Sequence, residues 1–162
     1  SYQILEEVEY IDPLAEKKFG IEINPLYTIL YNEHGPSLSG TFSLFNVAKK
    51  AEIAFPFSYR SRPDSTFADS PTANLDIQYR YFLGKHRNGK YIMTGVRIYF
   101  GEDSRGSYEK GGISFGIGER IFGQRGWYWG SSIYIGKYYF GDKERESESF
   151  YNAELLKFGF IF

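Results

Sequence analysis

Charged residues recur at alternate positions among bulky apolar ones, and they are the first place to look for chemistry. Glu22, Glu52 and Asp76 share this placing with Arg60, Arg80 and Arg97, and the amides Asn24 and Gln78 fall on the same parity. Carboxylates and guanidinium groups confined together can line a channel or act as an acid–base pair. They can also neutralise one another as a closed network that satisfies buried polar groups. The network is the expectation adopted here, because the space that the surrounding elements leave is narrow.

Other candidates are weaker. His34 lies near Glu33 and Ser37, the residue types of a hydrolytic triad. It adjoins Gly35-Pro36, however, which reads as an exposed loop, and His86 falls in a short turn. The acids Asp64, Asp69, Asp142, Glu144, Glu146 and Glu148 lack the ordered spacing of a cation-binding loop and read as solvated charge. Arg60, Arg62, Arg105 and Lys137 suit lipid phosphates in a generic way. Gly111-Gly112 and Gly116-x-Gly118 lie inside a strand rather than at a strand-to-helix turn, so they make no phosphate loop. With no cysteine there is no disulfide, thiolate ligand or thiol nucleophile. No catalytic residue, metal ligand or cofactor is expected, and the chain is not read as an enzyme.

The elements that position these residues follow from composition and period. Aromatic residues make up 20% of the 162 residues and 18 glycines accompany them, a combination typical of all-β chains. No apolar run is long enough for a membrane helix. A net charge of −1 provides no field for nucleic acid, so no nucleic-acid partner is expected. From residue 18 onward, apolar and polar residues alternate in segments closed by turn residues. These predict strands near 19–31, 38–46, 51–62, 74–84, 91–101, 111–123, 127–141 and 150–162. Before them, Ile4, Leu5, Val8, Ile11 and Leu14 fall near helical spacing among acids, and Pro13 limits any helix. Residues 1–17 are therefore expected to form a separate arm or short helix, and 18–162 a single barrel domain.

The connections alternate in kind. Short turns are predicted at Val47–Lys50, Lys85–Lys90 and Gln124–Gly126, with Asn88-Gly89 a strong hairpin signal. Longer or more polar links are predicted at 32–37, 63–73, 102–108 and 142–149, the places where a surface partner would bind. Short turns on one rim and polar loops on the other is the layout of bacterial membrane barrels, with both chain ends on the periplasmic side.

The apolar faces are explicit: Phe19, Ile21, Ile23, Tyr27 and Ile29; Ile53, Phe55, Phe57 and Tyr59; Leu75, Ile77, Tyr79, Tyr81 and Leu83; Ile92, Val96, Ile98 and Phe100. Alternation alone fits a soluble barrel with these inside or a membrane barrel with these outside. Trp127 and Trp129 at one strand end, with Tyr138 and Tyr139 at the other, suit two lipid–water boundaries and favour the second. Three positions fit badly. Outward alternation carries Glu119, Lys137 and Glu154 toward lipid, unless a bulge near Gly118 or placement at a rim corrects it.

The final segment, with Leu156, Phe158, Phe160 and Phe162 alternating with Lys157 and Gly159, resembles the closing strand of bacterial outer-membrane barrels. The resemblance is to small OmpA/OmpX-type barrels and covers residues 18 to 162. It implies an antiparallel up-and-down eight-stranded transmembrane β-barrel, exported with loss of a signal peptide. It also implies that the terminal aromatic is read by the barrel-assembly machinery, and that outer-membrane lipid and lipopolysaccharide surround the product. The expected role is structural or surface-interacting, around a plugged polar interior. A narrow channel for small or apolar solutes and a lipid A-modifying enzyme are the alternatives.

Overall fold

The computed structural model describes residues 16–31, 37–46, 50–61, 71–84, 88–145 and 147–162. Eight strands run β1 (Phe19–Ile23), β2 (Ser37–Asn46), β3 (Ala51–Arg60), β4 (Thr72–Phe82), β5 (Gly89–Asp103), β6 (Gly106–Phe122), β7 (Trp127–Gly141) and β8 (Ser149–Ile161). Each pairs antiparallel with the next, and β1 pairs with β8, so the sheet closes into a barrel. The arm over residues 1–15, together with His34, Arg62, Asp64, Asp69, His86 and Glu146, lies outside the described residues.

Two of the expected elements change. The strand over 19–31 stops at Ile23, and Pro25–Tyr31 form a short helix, α1. The signal was present: Asn24 accepts the Tyr27 N–H at 3.2 Å as a helix cap, and Pro25 takes the first helical position, where a missing N–H costs nothing. Apolar Tyr27 and Ile29 happened to continue the alternation. The link at 102–108 is no loop either. β5 and β6 stay paired up to Asp103 and Gly106, leaving only Ser104 and Arg105 at the tip, and Gly106 (φ 108°) supplies the positive angle such a tight turn needs. Asp103 accepts the Arg105 N–H at 2.8 Å, and this bond, with Arg145 nearby, holds its carboxyl below the usual range.

The wall is uneven in height. β5, β6 and β7 have 15, 17 and 15 residues, whereas β2, β3 and β4 have 10, 10 and 11 and β1 only 5. The rim that carries the β2–β3, β4–β5 and β6–β7 links is here the turn rim, and the opposite rim, which includes the two-residue β5–β6 tip, is the loop rim. Pro56 sits within β3, and the β3–β4 pairing lapses at Phe55 and Pro56, as expected where a ladder N–H is missing.

Aromatic and glycine content turn out to be one device. Tyr91 faces Gly118, Tyr108 faces Gly101, Tyr128 faces Gly159 and Phe150 faces Gly136 in register, each ring lying over the glycine of the neighbouring strand. A ring that lies flat on the inner wall fits only where the partner lacks a Cβ. Gly118→Ala is expected to destabilise the barrel by about 1–3 kcal/mol through overpacking against Tyr91. Gly111→Ala, whose added carbon would meet Phe140 only at ordinary contact distance, is expected to cost less. Urea titrations of the two refolded variants measure the difference.

Candidate functional site

The pleat decides which side each residue takes, and it turns the bulky apolar residues out. Ile21, Ile53, Ile77, Tyr79, Ile92, Val96, Phe115 and Ile135 are exposed, while four carboxylates and five cations are buried inside among the described residues. All of them but Lys110 belong to one connected system of hydrogen bonds and ion pairs. At its centre on β3, Glu52 accepts Arg120 through both oxygens (2.8 and 3.1 Å) and Arg80 at 3.2 Å. Arg80 also donates to Glu22 at 2.9 Å, and Glu22 lies 3.9 Å from the Lys157 ammonium. Lys157 in turn donates to Ser132 (3.0 Å) and Tyr91 (3.2 Å) and pairs with Glu154 at 3.3 Å.

A second cluster lies toward the loop rim. Arg97 grips both oxygens of Asp76 at 2.7 and 2.9 Å, and a guanidinium N–H also reaches the Tyr134 hydroxyl at 2.9 Å. Asn152 bridges the two clusters, donating to Tyr134 at 2.7 Å and to Glu154 at 3.1 Å. The system draws on β1, β3, β4, β5, β6, β7 and β8, so it ties the closed wall together across its diameter.

Rings cover both ends of it. Arg120 packs against Phe82 (4.6 Å), Tyr128 (4.7 Å) and Tyr91 (5.5 Å), with Phe45 beside Phe82 at the turn rim. Toward the loop rim, Phe150 lies 4.3 Å from the Arg97 guanidinium. Above it Lys110 sits among Tyr99 and Tyr138 and donates to the carbonyls of Arg145 and Ser147 at 2.8 and 3.1 Å.

The predicted interior residues divide. Glu22, Glu52, Asp76, Arg80 and Arg97 meet in the network, and Gln78 touches Arg80 at a long 3.5 Å. Asn24 is buried but caps α1, and Arg60 is half-buried at the loop-rim end of β3 opposite Ser37 and Thr72. Arg120, Lys157, Glu154, Tyr134 and Asn152 were missed. Arg120 was legible, since outward Ile117 and Ile121 leave it inward by parity.

Glu154 was not legible, and its expected outward placing is wrong. Between Gly130 and Ser132 the β7–β8 register shifts, setting Leu155 and Leu156 opposite Ser131 alone. This bulge reverses the parity of β8, so Glu154 and Lys157, three apart, both point inward. Leu156 itself becomes half-buried at the bulge, whereas Phe158 and Phe162 remain exposed and Phe160 partly so. Tyr138 also moves: it is buried against Lys110, while Trp127, Trp129 and Tyr139 face outward. A second register shift at Gly111/Gly112 leaves Tyr139 unpaired, which lets Tyr139 and Phe140 both face out. No shift occurs near Gly118. Glu119 stays outward, in register with Lys90 and Ser131, and Lys137 stays outward opposite Ile113 and Ser149.

Among the described residues no group of three His, Asp or Glu side chains is placed to hold a metal ion. Comparison with protein-family models, curated proteins and solved structures finds nothing that matches this chain.

Proposed function

We propose that the chain is an integral outer-membrane barrel with a plugged polar interior, serving a structural or surface-interaction role through its loop rim. One observation carries this reading: among the described residues the barrel buries four carboxylates and five cations inside, while outward-facing Ile, Phe, Tyr and Leu side chains on every strand are exposed. In water that arrangement gives up the hydrophobic stabilisation that folding depends on. In lipid it is the low-energy arrangement, with the interior charges held away from hydrocarbon. Lys90 and Glu119 on the turn side and Lys137 on the loop side then bound the apolar belt on β6 and β7, where charge costs little. Lipid and lipopolysaccharide are the surrounding partners this implies.

Support for a plug comes from the connected network and its aromatic ends. The refolded protein is expected to float with phospholipid vesicles in a density gradient and to give no steady current in planar bilayers. A protein that stays at the bottom of the gradient overturns the membrane reading. Stable open-channel currents overturn the plug and promote the narrow channel, and a mass change of lipid A on expression points to the enzymatic alternative.

The terminal aromatic is proposed to be read during assembly, and its surroundings show how to separate that role from stability. Phe162 exchanges two backbone hydrogen bonds with Phe19 (3.1 and 3.0 Å), and its ring stacks on Phe19. Deleting Phe162 removes the closing bonds as well as the ring; Phe162→Ala removes only the ring. Phe162→Ala is expected to lower outer-membrane levels in cells strongly while changing stability in detergent little. Normal surface levels of this variant count against the assembly role.

A further inference from the structure

The wall has a seam. β1 meets β8 through Phe19–Ile23 and Phe158–Phe162, yet β8 runs back to Ser149 and β2 begins at Ser37. Beyond the β1 pairing, β8 has β7 on one side and helix α1, not a strand, on the other. A cavity of about 350 Å³ lies along this join, between Leu26, Tyr27 and Leu30 of α1 and Tyr151, Ala153 and Leu155 of β8. That is near the lower end of the roughly 300–1,000 Å³ of small-ligand sites, room for one slender molecule.

The two ends of the seam differ in chemistry. Its outer lip is open and apolar: Leu30, Tyr151 and Leu155 are 68, 79 and 72% exposed, and the exposed faces of Ile23, Leu38 and Phe158 flank it. Its inner end carries the amides of Asn24 and Asn152. The Asn24 carbonyl is taken by the Tyr27 N–H, which leaves its NH₂ as a donor. Asn152 donates to Tyr134 and Glu154, which leaves its carbonyl as an acceptor and sets a carboxylate beside it.

We infer that the seam takes one acyl chain of a surrounding glycerolipid, with the chain's ester group at the Asn24 and Asn152 amides. The inference rests on the membrane reading above, because the outer lip is continuous with the exposed apolar belt and hydrocarbon is what that belt meets. An ester carbonyl can accept from Asn24 without bringing a negative charge to Glu154, which a free fatty carboxylate would do. Apolar chain on apolar lip and neutral polar end on amides is the match that fixes the occupant's class.

The test uses the full chain in lipid nanodiscs carrying a phospholipid with a nitroxide in mid-chain, read by methyl relaxation. The half-buried Leu26 methyls, with those of Leu30, are expected to relax faster than those of Ile77 and Val96, which face outward on the far wall. Ala153→Trp, which fills the seam from its outer side, is expected to abolish the excess at Leu26 and leave Ile77 and Val96 unchanged. Leu30→Trp is the second filling variant, should the first fail to fold. Equal relaxation at Leu26 and Ile77, or an excess that survives a filling variant that folds, overturns the seam and leaves the membrane reading standing. Absence of any relaxation effect at Ile77 and Val96 overturns both.

Discussion

Arg97→Ala is expected to destabilise the barrel by about 3–5 kcal/mol, more than any other single truncation in the interior. The reason lies in how the two clusters share their charges. Asp76 is buried, and Arg97 is the cation that holds it, by two short bonds. Without Arg97 the carboxylate keeps only the Tyr134 hydroxyl at 3.4 Å among the described partners, far too little to replace a bidentate guanidinium. Arg80 sits in a better-connected place. In Arg80→Ala, Glu52 retains both bonds to Arg120, and Glu22 retains the Lys157 ammonium at 3.9 Å. Its loss is therefore expected to be the smaller, although it too removes a buried charge partner. Joint replacement of Arg97 and Asp76 by apolar residues of similar size should recover much of the loss, since neither charge is then left alone. Refolding and unfolding titrations in the same detergent give the three values. An Arg80→Ala loss equal to or above that of Arg97→Ala would sink the account of the interior as two unequal clusters.

Ile77→Arg should cost about 2–4 kcal/mol in lipid if it lies near the middle of the apolar belt, whereas Gln78→Glu should be tolerated better. The two residues are neighbours on β4 and differ in the face they present. Ile77 is exposed between Leu75 and Tyr79, and Gln78 is buried within reach of Arg80. An outward guanidinium in hydrocarbon has no partner and must snorkel or thin the bilayer. An inward carboxylate at 78 meets an interior in which buried cations already outnumber buried acids among the described residues. The contrast is measured by titrating both variants in vesicles and again in aqueous detergent. A penalty for Ile77→Arg that is the same in both media, or a larger penalty for Gln78→Glu, overturns the membrane placement.

Read along the chain, the period of two was enough to find the strands and to sort residues into two faces. Glu22, Glu52, Asp76, Arg80 and Arg97 were assigned to one face because each alternates with Ile, Phe, Leu or Tyr, and that relation is local to a few residues. The hairpin at Asn88-Gly89 and the cap at Asn24-Pro25 were written locally too, although the second was hidden by apolar residues that kept the alternation going into α1. What only the closed sheet decided was which face is inside, because alternation is symmetric in the two faces and closure is not. It also decided the two register shifts. A bulge adds one residue on one strand relative to its neighbour, so it exists only in the pairing of β6 with β7 or of β7 with β8 and leaves no period of its own. That single added residue at Leu155–Leu156 brings Glu154 inside, where it pairs with Lys157, and so completes the network. The early end of β1 has the same standing. A cap and a proline mark a helix, but only the longer strands on either side turn that helix into a seam in the wall.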